Sequence, residues 1–302
     1  MLNRNIGSTK SDIYTKITNE IISAIENGTG DFAMPWHKQA YAGIPRNPVT
    51  KQPYRGINTL SLWLARRKAG FASSYWASYL QWQTLKAQVR HGEKGSVIVF
   101  YKRLEDDEEN EDNDDTQNQA RAVIRYSHVF NGDQVDGWSQ TEEPSLANHT
   151  KFAKAVCFIN TLKSDIKHGS DHAYYSPTQD RIFMPNQSMF LDTEAGSAIE
   201  GYYAVLFHEH IHWSGHKTRL NRDMSGKFGS SSYAMEELVA ELGASFLCAT
   251  LDINTYPRPD HASYIASWLK VLKEHKKAIF VAAGAASAAS TYLETLAETN
   301  KN

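Results

Sequence analysis

Phe207–His216 reads FHEHIHWSGH and sets four histidines and one glutamate within ten residues. The preceding run YYAVLF is apolar, so the stretch reads as the inner end of a buried helix that stops near Gly215. Residues four apart share a helix face, and His208 and His212 can therefore offer two ring nitrogens to one ion. His210 falls on a different face and reads as a packing or surface residue.

Glu209 sits beside the first of these histidines, where its carboxylate can reach a water held by the same ion. This is the HExxH arrangement of zinc peptidases. A catalytic site needs a third protein ligand and an open position for water. The longer pattern HExxHxxGxxH would put a histidine at 218, where this chain has Thr218. His216 lies four residues past His212 but beyond the expected helix break.

The next apolar helix, MEELVAELGASF, carries Glu237 and Glu241 one turn apart and resembles the glutamate helix of gluzincins. On that reading Glu237 is the third ligand to a single zinc ion, and Glu241 orients the first histidine. Spacing alone leaves the reverse assignment open. His216 or Tyr233 is the expected proton donor that stabilises the oxyanion.

Upstream, SDIYTKITNEIISAIENGTG, INTLSLWLARRKAG and WASYLQWQTLKAQ have the one-sided apolar spacing of helices. VIVFYKR and RAVIRYSHVF are β-branched and aromatic and can pair as a hairpin. Between them lies EDDEENEDNDD (Glu105–Asp115), nine acids in eleven residues, which self-repels and reads as a solvated tip. Downstream, ANHTKFAKAVCFINTLK and the stretch from His261 to the C-terminal region read as helical, with YYSPTQDRIFMPNQ a broken strand or hairpin. The expected fold class is α+β with two domains: residues 1–140, carrying the acidic loop 105–119, and a mainly helical second domain over 141–302.

Net charge is −2, but residues 1–103 hold fifteen Lys or Arg against five Asp or Glu. From Arg46 to Arg103 nine aromatics are interleaved with eleven of these cations. Cations that track phosphates and rings on which bases stack are what sequence-tolerant binding of single strands requires. Arg46, Tyr54, Arg55, Asn58, Trp76, Trp82, Lys86, Arg90 and Lys94 are the candidate DNA contacts. Neither GxxxxGK[ST] nor GxGxxG occurs, so nucleotide hydrolysis and dinucleotide binding lack support. No run of eighteen apolar residues and no secretory pattern is present, and two cysteines fit a reducing cytoplasm.

The motifs GIPRNPVTKQPYRGIN, VRHGEKGSVIVFYK, YSHVFNGDQVDG, YYSPTQDRIFMP, FHEHIHWSGH and EELVAELGASFLCA, in that order, resemble the ArdC family of plasmid antirestriction proteins. The resemblance runs from about residue 11 to 290. It implies an N-terminal single-stranded DNA-binding domain and a C-terminal zincin-like, gluzincin-type metallopeptidase domain, with a role in protecting incoming plasmid DNA from restriction. If the zinc site cuts a protein, a host restriction enzyme subunit is the expected target. The alternative is a non-enzymatic strand-coating protein whose zincin domain is structural or docks a partner.

Overall fold

A computed structural model describes residues 6–28, 34–37, 43–103, 122–139, 148–193, 196–227, 229–254 and 261–301. The chain opens with α1 (Ile6–Gly28), whose Ile13, Ile17, Ile21, Ile22 and Ile25 are all buried, as their spacing requires. α2 (Ile57–Ala69) follows and ends at Gly70 in the left-handed region, φ 70°. Next come β1 (Trp76–Ala77), α3 (Tyr79–Thr84) and β2 (Gln88–Val89).

The expected third helix is thus shorter than its pattern. Ser78 caps α3 in a box, with Gln81 N donating to Ser78 Oγ and Ser78 N donating to Gln81 Oε1, and this starts the helix only after a strand. Beyond Leu85 the chain turns at Lys86, φ 59°.

β3 (Ser96–Arg103) and β4 (Ala122–Asn131) pair antiparallel over their full length, Ser96 opposite Val129 and Arg103 opposite Ala122. β4 is central, with β1 on its other side, and β2 pairs with β5 (Val135–Asp136). The acidic loop 105–119 expected at the hairpin tip lies outside the described residues.

The second half holds α4 (Asn148–Leu162) and a small sheet of β6 (Asp165–His168), β7 (Tyr174–Ser176) and β8 (Arg181–Met184). The sheet order is β6-β8-β7, with β6 parallel and β7 antiparallel to β8. The hairpin of β7 and β8 was legible. β6, which has one apolar residue in DIKH, was not. Four helices complete the fold: α5 (Ala198–Ser214), α6 (Ser231–Leu251), α7 (His261–Glu274) and α8 (Ala278–Thr299).

α8 carries the alanine-rich run. Among the described residues it is the one helix long and apolar enough to cross a membrane, but it packs along α6 and α4 and buries Ala282, Ala283, Ala286, Ala289 and Leu293. Small side chains let these helices approach closely. α2 also reaches α8: a Cβ on Gly56 would lie 3.4 Å from Ala283 O.

One apolar core runs through both halves. α1 lies against α7, Tyr14 meets Phe280 edge-on at 4.6 Å, and Trp63 packs on Phe246 at 5.6 Å. Thr18 Oγ1 donates to Lys276 O at 2.7 Å. Two smaller clusters belong to the first half alone, one around Trp82 and one around Trp76.

Candidate metal centre and cleft

α5 delivers the histidines because both of its ends are fixed. At the start, Ser197 and Glu200 form a capping box, and Glu200 Oε1 also accepts from Asn254 N at 3.3 Å, which ties the end of α6 to the start of α5. At the end, Gly215 N donates to His212 O at 2.8 Å and the helix stops. Gly215 has an ordinary φ of −77°, so conformation does not demand glycine here. Space does: a Cβ would lie 2.8 Å from Arg222 Nη2 and 2.9 Å from Met224 Sδ.

Through that gap Arg222 reaches Ile211 O at 2.6 Å, Ser214 Oγ at 2.9 Å and the Glu236 carboxylate at 2.8 and 3.1 Å. Glu236 in turn meets His212 Nδ1 at 3.1 Å, which turns Nε2 inward. α6 crosses α5 at Gly243, where a Cβ would fall 2.7 Å from Ile211 Cδ1. The missing side chain brings the two helices together one residue before His212.

The result is a convergent donor set. His208 Nε2 and His212 Nε2 are 3.2 Å apart, Glu237 Oε2 is 3.4 Å from the first and Glu237 Oε1 is 3.5 Å from the second. A tetrahedral ion with bonds of about 2.0–2.1 Å holds its ligands about 3.3 Å from one another. The three side chains therefore fit a small divalent ion with no rearrangement, and among the described residues they form the one such group found. All three are buried or nearly so.

The electrostatics agree with this fit. Burial works to raise the Glu237 carboxyl, but His208 and His212 outweigh it and hold it well below the usual carboxylate range. Burial likewise opposes charge on His212, yet Glu236 and Glu237 push it up to about 10. Two carboxylates facing buried imidazoles make a site that demands positive charge, from protons or from a metal.

A cleft of about 930 Å³ opens over this group and is lined by His208, Glu209, His212 and Glu237. Glu209 is 2% exposed and borders the cleft beside the donor set. Tyr233 borders it too, 3.1 Å from the Tyr264 hydroxyl. Burial, the Tyr264 contact and the charge of Glu237 push the Tyr233 hydroxyl above its ordinary range, so it stays protonated and able to donate.

His216, the other expected proton donor, is placed elsewhere. The turn after α5 carries it to Thr218, whose Oγ1 lies 2.8 Å from its Nδ1, and it does not line the cleft. His210 is fully buried, between Leu206 O at 2.7 Å and Ser164 Oγ at 2.8 Å.

Glu241 meets a residue the sequence did not suggest. Its carboxylate accepts from His37 Nε2, while His37 Nδ1 accepts from Met34 N at 3.1 Å, which fixes the tautomer. A side chain from the first half thus meets the glutamate helix one turn beyond Glu237. Glu236 and Arg222 were missed as well. The only available signal for Glu236 was its place beside Glu237.

The candidate DNA residues divide by burial. Trp76 and Trp82 are 0% exposed and cannot stack on bases. That expectation is corrected: Trp76 packs edge-on to Phe71, and Trp82 donates Nε1–H to Phe130 O at 3.0 Å beneath Trp138. Tyr54 is partly buried with its hydroxyl donating to Trp76 O at 2.9 Å, and Asn58 bonds Val99 O and N at 2.7 and 2.8 Å. Both hold the sheet. Arg46, Arg55, Lys86, Arg90 and Lys94 are exposed, with Arg90 paired to Glu93 at 3.1 Å. Among the described residues of the first half, the exposed rings are instead Tyr126 (52%), Phe100 and Tyr79.

The fold and site together define a two-part chain with a zincin-like centre. Residues 11–130 match the N-terminal domain of anti-restriction factor ArdC, and residues 153–285 match the zincin-like metallopeptidase family. The chain is similar to the antirestriction ArdC protein from the R388 plasmid, in its metal-free crystal structure (TM-score 0.75) and its Mn(II)-bound one (TM-score 0.76). Identity is 36%, over 95% of this chain and 98% of that one.

It is also 45% identical to protein y4eC of Sinorhizobium fredii, over 92% of this chain and 90% of that protein. Two Escherichia coli DNA primases named TraC are 30% and 32% identical over 94% and 91% of this chain, which spans only 20% and 26% of their length. The chain belongs to the ArdC family of antirestriction proteins.

Proposed function

We propose that this protein is an antirestriction factor that binds single-stranded DNA through its first part, near residues 1–140, and hydrolyses peptide bonds at a zinc centre in its second, near 141–302. The observation that carries the reading is the donor set of His208, His212 and Glu237, with Glu209 at its edge in an open cleft. A divalent ion bound there lowers the pKa of its water to about 7 and polarises a carbonyl.

Glu209 is the general base in this reading: it takes the proton of the attacking water and hands it to the leaving amine. Tyr233 hydrogen-bonds the carbonyl oxygen as charge builds on it. Glu236 holds His212 in the tautomer that presents Nε2. On the DNA side, Arg46, Arg55, Lys86, Arg90 and Lys94 track phosphates, and exposed rings such as Tyr126 on β4 replace the buried tryptophans as stacking partners. Both activities serve in the cytoplasm of a cell receiving plasmid DNA, and a host restriction subunit is the proposed target.

The test compares wild type with Glu209→Gln for cleavage of a candidate restriction enzyme and protection of incoming DNA, with oligo-dT binding measured in parallel. Loss of cleavage and protection with strand binding retained is the expected result. Full protection by the variant would mean that strand coating does the work and that the centre is structural.

A further inference from the structure

The walls of the cleft differ in chemistry from the basic first half of the chain. Four carboxylates line it, from Asp171, Glu209, Glu236 and Glu237, and among the described residues no Lys or Arg does. The segment after β8 brings Met189, Phe190 and Leu191 to the same cleft, with Met189 71% and Leu191 73% exposed. Two large apolar side chains this exposed, two residues apart and lining the cleft of a polar centre, mark a contact surface. Methionine also adapts to apolar partners of varied shape.

β7 borders the same cleft. It is the outer strand of its sheet, paired with β8 only, and its Tyr174 and Tyr175 line the opening. An outer strand offers a row of backbone donors and acceptors to an extended chain.

We propose that the cleft takes an extended polypeptide segment, seats a large apolar side chain of that segment against Met189, Phe190 and Leu191, and turns away nucleic acid and acidic side chains. This occupant presupposes the peptidase centre described above and adds its selectivity. Charge supplies the exclusion: phosphates and carboxylates meet four acids, and among the described residues no Lys or Arg lines the wall to offset them beyond the ion that the histidines and Glu237 would hold. The apolar ledge supplies the preference. DNA bound by the first half therefore does not enter the cleft, and the protein reads two polymers at separate places.

Binding can be measured apart from turnover with Mn(II)-loaded Glu209→Gln protein and fluorescent octapeptides that differ at one central position: Phe, Leu, Gly or Asp. The Phe and Leu peptides should bind about tenfold or more tighter than the Gly peptide, since burying such a side chain is worth about 1.5–3 kcal/mol. The Asp peptide should bind weakest, and oligo-dT should not displace any of them. Leu191→Asp and Met189→Asp, both on exposed positions, should erase the preference while metal binding is retained.

Equal binding of all four peptides, binding of none, or displacement by oligo-dT overturns the proposal. Wild-type protein is then given the same peptides. Apolar-selective binding without cleavage would remove the peptidase reading and leave the selectivity standing; cleavage of all four at equal rates would do the reverse.

Discussion

Glu236 holds both Arg222 and His212, and its position explains why the second histidine is oriented while its partner nitrogen faces the cleft. Groups placed behind a ligand in this way are worth about 10- to 100-fold in metal affinity. Glu236→Gln should weaken Zn(II) or Mn(II) binding by about that factor, read by competition with a chromophoric chelator.

Asp180 makes a second residue-level case. The Arg219 guanidinium outweighs the opposing effect of burial and holds the Asp180 carboxyl below its ordinary range. A carboxyl depressed on folding stabilises the fold above its unfolded pKa, and that contribution disappears as pH falls through the lower folded value. Asp180→Asn should therefore melt below wild type at pH 7, with the gap closing as pH drops below about 4. The Asp180 side chain is 40% exposed, so solvent screening keeps the effect small.

At this scale the sequence was legible where covalent spacing does the work. His208, His212 and Glu237 converge because a helix turn fixes one pair and a neighbouring helix supplies the third. The burial of Trp76 and Trp82 and the pairing of Glu241 with His37 were not legible, because burial and long-range pairing depend on what the rest of the chain brings alongside.

Among the elements, the crossing of α5 and α6 sets the geometry of the centre. Gly243 lets Ile211 lie against the α6 backbone. Gly243→Ala must push the helices apart or distort Ile211, which is 0% exposed, and overpacking of this kind costs about 1–3 kcal/mol. The variant should melt lower and also bind metal more weakly, because the same displacement draws Glu237 from the histidines. Titration of metal into the variant under conditions where it remains folded separates the two effects.

The β3–β4 hairpin was readable from its β-branched runs, and helices α1, α2, α5 and α6 from their apolar spacing. α3 was misjudged because a capping box decides where a helix starts more sharply than periodicity does. On the hairpin, Tyr126→Ala should weaken oligo-dT binding by about 1–3 kcal/mol if that ring stacks. The logarithm of affinity should fall with the logarithm of salt by about 0.7 for each phosphate neutralised. A flat salt response, or no effect of Tyr126→Ala, would move the strand path elsewhere.

For the whole molecule, the shared core matters more than the division between the matched segments 11–130 and 153–285. With α1 seated on α7 and Trp63 on Phe246, both halves bury apolar surface against each other. Calorimetry should show one cooperative transition for the main core rather than two. Metal should raise its midpoint, since a ligand at 100 times its Kd stabilises by about 2.7 kcal/mol. The two-part organisation was visible in charge and motif, but the joining of the parts was not, because no local pattern records which apolar faces meet.

The contact between His37 and Glu241 bears on how such proteins can be inherited. A crossover between genes with its junction between residues 139 and 148 would separate His37 from its carboxylate and Trp63 from Phe246 in a single step. The offspring would carry two mismatched half-interfaces and a buried acid facing a stranger. Reshuffling at that point should cost stability, and the sequence is expected to pass between replicons as one cassette. The similarity to both TraC primases, which spans more than nine-tenths of this chain within much longer polypeptides, has that form.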